Sequence, residues 1–381
     1  MQAQDLDQKK GWLAAGVPFR AIQWDDWWMY LPNGDYKGST YWWPRPDVFP
    51  SGLTDWMGVP LSLYNPGYSS DNVYDNTSEA RARYGYDWRS DAAGQAIPVG
   101  KGEYYRDIFA NGTKARGIMF EQDFLCSINV QSNLTNSDLT SGADWLGGMD
   151  IEAGNVNWTL QLCMSNPAHA LHSTVMSRAT NMRATRDNTH SYAGNGLVLG
   201  YSAMLIRAMG LYASRDNVWT SYSQPNCSEG SCFQPDVALQ NTYALLAGGP
   251  YGPSDAPYHT NASLVMRTCR RDGVLLRGDR PIVATDSALL DETARAVESG
   301  NKIEPIMVWS TFSDIPMVAG TEAATSGRGT GRAGAGGGGG GAAYVHQSEH
   351  GTSLNHGSIA RYTYILGTNL ENDTELGIDE L

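Results

Sequence analysis

The hydrophobic residues of this chain fall into short apolar runs, and each run ends in polar or acidic residues. Segments long enough to form helices separate the runs, which is the pattern of parallel strands connected by helices. Seven such runs precede residue 256: FRAIQWDD (19–26), VPLSLYNPGY (59–68), GIMFEQDFL (117–125), WTLQLCMSNP (158–167), ATNMRATRDN (179–188), GLYASRDNVW (210–219) and YALLAGGPYGPSD (243–255).

Two of the separating segments, 141–155 and 196–209, have apolar residues at helical spacing. Polar residues collect where the runs end, and a (β/α)8 barrel builds its active site at the carboxyl ends of its strands. We therefore predict a mixed α/β fold, with a (β/α)8 TIM barrel over residues 1–290. Only seven of its eight strands are visible, and residues 5–19 have the pattern of a helix leading into the first of them. The prediction is a barrel that lacks its first strand at the N-terminus.

Beyond residue 290 the pattern changes. DETARAVESG (291–300) predicts a helix, whereas PIMVWSTFS (305–313) and ARYTYILGTNL (360–370) predict strands. Between these strands, the glycine-rich segment 325–343 is of low complexity and predicts a disordered insertion. Residues 291–381 are thus expected to form a separate β-rich domain.

Composition narrows the choice of partner. The 381 residues include 27 basic and 40 acidic side chains, for a formal net charge of -13. This charge repels nucleic acids and anionic membrane surfaces, so we expect neutral small molecules as ligands. No apolar run reaches the roughly 18 residues that span a membrane. The start of the chain, MQAQDLDQKK, also lacks the apolar centre of a signal peptide.

The cellular compartment is indicated by acceptor sites for N-glycans, which are used in the secretory pathway. This predicts a secreted or lumenal protein, with a cytoplasmic location as the alternative. Cys227 and Cys232 lie close together and form either a local disulfide or a pair of free thiols. The Asn-x-Ser/Thr acceptor asparagines are Asn76, Asn111, Asn133, Asn157, Asn226, Asn261 and Asn372.

The first apolar run ends in two adjacent acids, in the stretch IQWDDWWMY (22–30). Neighbouring residues on a strand point to opposite faces, so Asp25 and Asp26 serve one ligand only where the strand ends. Paired carboxylates bind hydroxyl groups strongly, and tryptophan rings offer flat apolar faces to a sugar. The tryptophans near these acids are Trp27, Trp28, Trp42 and Trp43. The alternative is a capped strand end with aromatic core residues.

Acids recur at the ends of other runs, at Asp123 and at Asp187. Glycoside cleavage needs two carboxyl groups on opposite sides of the anomeric carbon, about 5–5.5 Å apart when the anomeric configuration is retained. Arg183 and Arg186 would keep such carboxylates ionised and bind hydroxyl groups. Taken singly, each of these residues is more often a salt-bridged loop residue, and taken together they form a candidate site.

At this point the chain resembles a known family. IQWDDWW resembles the Leu-Asp-Asp-Gly-Trp strand of the α-galactosidase clan. The segment AGGPYGPSDAPYHTNASLVMRTCRRDGVLLRGDRP (247–281) resembles the raffinose synthase and alkaline α-galactosidase branch of glycoside hydrolase family 36. The resemblance covers roughly residues 5–290, and the ordered set of motifs is more specific than the paired acids alone.

The resemblance implies a retaining α-glycosidase or transglycosidase that acts on a carbohydrate and requires no metal or organic cofactor. Asp123 would be the nucleophile and Asp187 the acid/base. Asp25 and Asp26 would bind hydroxyl groups of the sugar. Trp27 or Trp28 would lie near the face of the sugar. Asp255 would help to organise the site, or else be an ordinary turn residue.

One position departs from the family pattern, which is Lys-x-Asp where this chain has Glu121-Gln122-Asp123. Glu121 lies on the same strand face as Asp123, where it would bind a hydroxyl group differently or raise the pKa of Asp123. The departure leaves open a catalytically inactive sugar-binding homologue. A metal-dependent hydrolase that uses His169 and His172 is a third possibility, although the sequence offers no clear third ligand. No dinucleotide or phosphate-binding glycine motif is found.

Overall fold

The computed structural model describes residues 2–32, 38–75, 77–131, 133–138, 140–188, 192–225, 233–234, 237–286, 290, 307–316, 342–350 and 359–368. The chain divides into two compact units, residues 1–183 with 209–211 and residues 184–208 with 212–381. The boundary near residue 290 that the sequence indicates stays a prediction.

The first unit alternates strands with helices. Helix α1 precedes the first strand, as the sequence predicts, and α5 has the bounds expected from its apolar spacing. In chain order the elements are α1 (Gln2–Ala14), β1 (Ile22–Trp24), a 3-10 helix (Asp26–Trp28), β2 (Leu61–Asn65), β3 (Tyr68–Ser69), α2 (Ser78–Tyr84), β4 (Asp87–Ser90), β5 (Gln95–Val99), α3 (Glu103–Lys114), β6 (Gly117–Gln122), α4 (Leu125–Gln131), α5 (Ser141–Asn155), β7 (Thr159–Leu162), α6 (Pro167–His172), a second 3-10 helix (Ser173–Val175) and β8 (Ala179–Arg183).

Five of these strands form a parallel sheet, in the order β1, β2, β6, β7, β8. Helix α3 precedes β6 and helix α5 precedes β7. All five residues of β2 are buried, as expected for a parallel strand that is covered on both faces. This arrangement is that of a partial (β/α)8 barrel, so the predicted fold class is confirmed.

A second, smaller sheet lies between β2 and α3 in the chain, and the sequence did not predict it. Strands β3, β5 and β4 pair antiparallel in that order. Their lengths of 2, 5 and 4 residues are too short for a clear alternation of apolar and polar positions. Buried tyrosines hold this sheet against α3, with the rings of Tyr68 and Tyr104 5.2 Å apart.

Helix α3 and strand β6 meet over the buried ring of Trp158. A Cβ atom added at Gly112 would lie 2.3 Å from this ring, and one added at Gly117 would lie 2.1 Å from it. Both distances are far inside van der Waals contact. Glycine is therefore required at these two positions by the ring that fills the space.

We expect the substitution Gly117→Ala to lower the free energy of unfolding by about 1–3 kcal/mol, because the new methyl group overpacks the core. Gly147→Ala is the matched control, since Gly147 lies within α5 and a Cβ there meets nothing within 4 Å. That variant should be neutral or more stable by up to about 1 kcal/mol. Urea unfolding of both variants measures the difference, and equal stability would contradict the packing argument.

The described part of the second unit contains three helices, short strands and an antiparallel sheet. In chain order it contains α7 (Tyr192–Ala208), β9 (Tyr212–Ser214), α8 (Val237–Leu246), α9 (Ala262–Val265), β10 (Val283–Ala284), β11 (Met307–Pro316), β12 (Ala342–His350) and β13 (Ile359–Thr368). The sheet has the order β10, β11, β13, β12. Helix α7 and the strands β9, β11 and β13 confirm predictions made from the apolar runs.

The predicted strand at 243–255 is wrong. Residues up to Leu246 belong to helix α8, and the rest of the run makes only isolated parallel bridges, from Gly248 to Ala213 and from Pro253 to Val218. A short apolar run does not by itself distinguish a buried helix from a buried strand. Here Leu239, Tyr243 and Leu246 are buried at helical spacing, which the run from residue 243 did not include.

Several predictions fall on residues outside the described ranges. These are the helix at 291–300, most of the glycine-rich segment, Cys227, Cys232 and the acceptor asparagines Asn76, Asn226 and Asn372. The predicted end of the disordered insertion at residue 343 is wrong by two residues, because Ala342 and Ala343 begin β12.

Within the described part of the chain, no helix is both long enough and apolar enough to cross a membrane.

Candidate active site

Asp123 directly follows β6 and is only 4% exposed. Its backbone N–H donates to the carbonyl oxygen of Asn65 at 2.9 Å, which fixes it beside the end of β2. The hydroxyl group of Tyr64 donates to Oδ2 of Asp123 at 2.7 Å. The other oxygen, Oδ1, has no hydrogen-bond partner among the described residues. One carboxylate oxygen is therefore oriented by the protein, and the other is buried and has no hydrogen-bond partner among the described residues.

Beneath Asp123, Glu121 accepts hydrogen bonds from two glutamine side chains. Nε2 of Gln161 donates to Oε1 at 2.7 Å, and Nε2 of Gln23 donates to Oε2. Asn181 in turn donates to Oε1 of Gln161 at 2.8 Å. Glu121, Gln161 and Asn181 are neighbours across β6, β7 and β8, so their side chains share one face of the sheet. They form a buried polar row.

The pKa of Glu121 is raised to about 8, mainly by burial and then by the negative charges of Asp123 and Asp25, while Arg183 acts in the opposite direction. These influences place Asp25, Asp123 and Arg183 around one carboxyl group. The same causes raise the pKa of Cys163 well above its ordinary value, first burial and then Glu121 and Asp123. The first unit thus brings together four of the predicted site residues, and the Cys163 thiol beside them stays protonated.

The paired acids at the end of β1 have different roles. Oδ1 of Asp25 accepts from the backbone N–H of Asp26 at 2.7 Å and caps the 3-10 helix that follows. Asp25 is exposed, whereas Asp26 and Trp27 are half-buried. Trp28 is fully buried, with its ring 5.1 Å from that of Trp42. The expectation that Trp28 lies at a sugar face is therefore wrong, because the ring is part of the core.

Three predicted site residues lie in the second unit. Arg186 and Asp187 are exposed, in the segment that continues from the end of β8. Asp255 is buried, and both of its carboxylate oxygens accept hydrogen bonds, from Thr220 at 2.8 and 2.7 Å and from Gln224 at 2.7 Å. Burial raises the pKa of Asp255, and the bonds from Thr220 oppose this shift. Asp255 therefore ties two loops of its own unit together.

His169 belongs to helix α6, where its ring has a capping role. Nδ1 of His169 accepts from the backbone N–H of Asn166 at 3.1 Å, and Oδ1 of Asn166 accepts from the helix in return. Burial and the neighbouring His172 lower the pKa of His169 to about 4, so the ring is neutral. In the described ranges, no three His, Cys, Asp or Glu side chains are grouped to hold a metal ion.

Sequence reasoning missed the residues that orient the acids, namely Tyr64, Gln23, Gln161 and Asn181. The signal for Tyr64 was present in LSLYN, since a polar residue at every second position of a buried strand marks its inner face. It also missed Arg215 of the second unit, which is buried and donates to Gln240 at 2.6 Å.

Comparison with known proteins shows the fold and leaves the family open. No protein-family model matches the sequence, and no curated protein sequence matches it. Among solved structures, the fold of this chain is similar to that of a family 27 glycoside hydrolase. That protein is a β-L-arabinopyranosidase from Geobacillus stearothermophilus, in complex with arabinose. The TM-score is 0.54 at 11% identity, over 97% of this chain and 94% of that chain. At this identity the likeness shows the fold alone, and it does not single out family 36.

Proposed function

We propose that this chain is a glycoside hydrolase that cleaves or transfers an α-linked, galactoside-like sugar with retention of configuration. The observation that carries the proposal is the carboxylate of Asp123. It lies at the carboxyl end of a barrel strand, with one oxygen held by Tyr64 and the other without a hydrogen-bond partner in the described residues. A nucleophile needs a fixed orientation and an oxygen that no other protein group engages, and the buried Oδ1 of Asp123 meets the second condition among the described residues.

In the proposed reaction, Asp123 attacks the anomeric carbon and forms a bond to it. The bond from that carbon to the leaving oxygen breaks, and Asp187 donates a proton to the departing oxygen. Asp187 then removes a proton from water or from an acceptor sugar, whose oxygen displaces Asp123 from the anomeric carbon. Support for the role of Asp187 comes from the family resemblance and from its exposed place just after β8.

A sugar suits the other groups around this site. Within the first unit, Asp25, Asp26 and Arg183 supply charged hydrogen-bonding groups for hydroxyls, and the half-buried Trp27 supplies an apolar face. The net charge of -13 favours a neutral substrate over an acidic one. The family 27 likeness agrees with a sugar substrate, since that protein was crystallised with arabinose.

A sugar-binding homologue without turnover is the second candidate, and Glu121 favours it. Both carboxyl oxygens of Glu121 are engaged by glutamine side chains, so this residue does not replace the sugar-binding lysine of the family pattern. Such a protein would bind the sugar without cleaving it.

The test is a panel of aryl α-glycosides and aryl β-glycosides with galactose, arabinose, glucose and xylose as the sugar. We expect turnover of at least one α-galactoside or stereochemically related glycoside, with the first-formed sugar in the configuration of the substrate. Proton NMR during the first minutes reads that configuration. A folded protein that binds sugar but cleaves no glycoside would favour the non-catalytic homologue, and inverted product would exclude the nucleophile role of Asp123.

A further inference from the structure

Four aromatic side chains form a partly exposed cluster in the first unit: Tyr30, Tyr41, Trp43 and Tyr84. The ring of Tyr41 lies 5.6 Å from that of Tyr30 and 6.4 Å from that of Trp43. The planes of Tyr41 and Trp43 are within 17° of parallel. Buried Tyr74 supports the cluster from beneath, with ring distances of 5.8 Å to Tyr41 and 5.2 Å to Tyr84.

The backbone holds these rings in place. Tyr30 and Tyr41 form an antiparallel bridge, in which the N–H of Tyr30 donates to the carbonyl of Tyr41 at 3.2 Å. The N–H of Trp43 donates to the same carbonyl at 2.9 Å, a tight turn that brings its ring alongside that of Tyr41. Between them, Trp42 points inward, and its Nε1 donates to the carbonyl of Tyr64 at 3.0 Å. The cluster is therefore anchored to strand β2.

That anchor links the cluster to the candidate active site. Tyr64 is the residue whose hydroxyl group orients Asp123. Tyr30, Tyr41 and Trp43 lie in the chain between β1 and β2, and Tyr84 ends helix α2 after β2. All four thus follow the carboxyl ends of strands, which is the side of a barrel where substrates bind.

The chemistry of the cluster fits a sugar chain. All four side chains of the cluster are aromatic, and three of the four rings carry a hydroxyl group. The guanidinium of Arg83 lies 5.4 Å from the centre of the Tyr84 ring. Such amphipathic rings pack against the apolar face of a sugar while their polar edges contact water and hydroxyls. The net charge of -13 disfavours acidic polymers, so the polymer that fits is neutral.

We propose that Tyr30, Tyr41, Trp43 and Tyr84 form a binding surface for a neutral polysaccharide, separate from the carboxylates that would cleave it. The choice of carbohydrate as the ligand rests on the proposed function. The surface holds a polymer beside the site and raises its local concentration there.

Affinity electrophoresis in gels that contain galactomannan, arabinogalactan or glucomannan tests this proposal. We expect at least one of the three to retard the protein, and Trp43→Ala to weaken that retardation about tenfold, since the largest ring of the cluster is lost. Trp43→Phe keeps a ring and should retain most of the affinity. Tyr84→Ala is a second variant of the surface, used if Trp43→Ala fails to fold as judged by its melting temperature.

Tyr222→Ala is the matched control, because Tyr222 is an exposed tyrosine of the second unit, 62% exposed, that is not part of this cluster. It should migrate like the parent protein. Asp123→Asn should also be retarded like the parent. Retardation of this variant would support the binding surface even if the proposed catalysis is not found. Absence of retardation by all three polysaccharides, or equal retardation of the parent, Trp43→Ala and Tyr84→Ala, would overturn the proposal.

Discussion

Asp123→Ala is expected to lower kcat for aryl glycosides by about 10⁴-fold or more, the scale of loss seen when a nucleophile is removed. The reason is that the variant cannot form the bond to the anomeric carbon. Tyr64 remains but has lost the carboxylate that it orients. The protein should stay folded, which circular dichroism of the parent and the variant checks.

Azide distinguishes a lost nucleophile from general damage. A small anion fits the space left by the carboxylate and can attack the anomeric carbon in its place, forming a carbon–nitrogen bond as the aryl group leaves. We expect azide to restore turnover of Asp123→Ala and to yield a glycosyl azide of inverted configuration. Formation of no glycosyl azide by a folded variant would count against Asp123 as the nucleophile.

Two companion variants sharpen the assignment. Asp187→Asn should retain cleavage of glycosides with very good leaving groups and lose it for poor ones, because only the latter need a proton from the acid. Tyr64→Phe removes one hydrogen bond to a charged group, which contributes about 1.5–3 kcal/mol. It should therefore reduce kcat by about tenfold to a hundredfold and leave the nucleophile in place. An equal loss in all three variants would contradict these distinct roles.

Glu121→Gln is expected to make the protein more stable at pH 8 to 9 and to flatten the dependence of its stability on pH. The side chain keeps its shape and carries no charge, and its single amide oxygen accepts one of the two hydrogen bonds that the carboxylate accepts. In the parent, an ionised Glu121 is buried near Asp123 and Asp25, and both burial and repulsion oppose its charge.

The direction of this change in stability with pH follows from the raised pKa of Glu121. The folded state holds the proton on Glu121 up to about pH 8, whereas the unfolded chain releases it near the ordinary value of 4.5. The stability that this proton contributes is complete below about pH 4.5 and is lost as the pH rises through about 8. At about 1.4 kcal/mol per pH unit, the loss reaches at most about 5 kcal/mol.

Thermal melting of parent and variant between pH 5 and 9 measures this effect. We expect the melting temperatures to converge at pH 5 and to separate by several degrees at pH 9. Glu79→Gln is the matched control, since Glu79 is exposed on α2 and its charge should change stability by only a few tenths of a kcal/mol. Parallel curves for the parent and Glu121→Gln would show that Glu121 is not the titrating group.

The repeating alternation of strand and helix was predictable because it depends on the local spacing of apolar residues. Strand β2 lies within the run 59–68 and α5 has apolar residues at helical spacing, so each could be placed within a few residues. Helix α8 was missed because the apolar run 243–255 begins inside it, so the helical spacing of its earlier residues lies outside that run. The small sheet of β3, β4 and β5 was missed because its strands are too short to show a period.

The sequence by itself determined the barrel class and the placement of Asp25 and Asp123 at strand ends, since an acid that closes an apolar run marks that end. Only the tertiary structure decided what surrounds them. Glu121 is held by Gln23 and Gln161, which lie 98 and 40 residues away along the chain. The partner of each side chain depends on the register between parallel strands, and no local pattern encodes which distant residues that register brings together. For the same reason the sequence did not reveal that Trp28 is buried, because its burial depends on Trp42 packing against it.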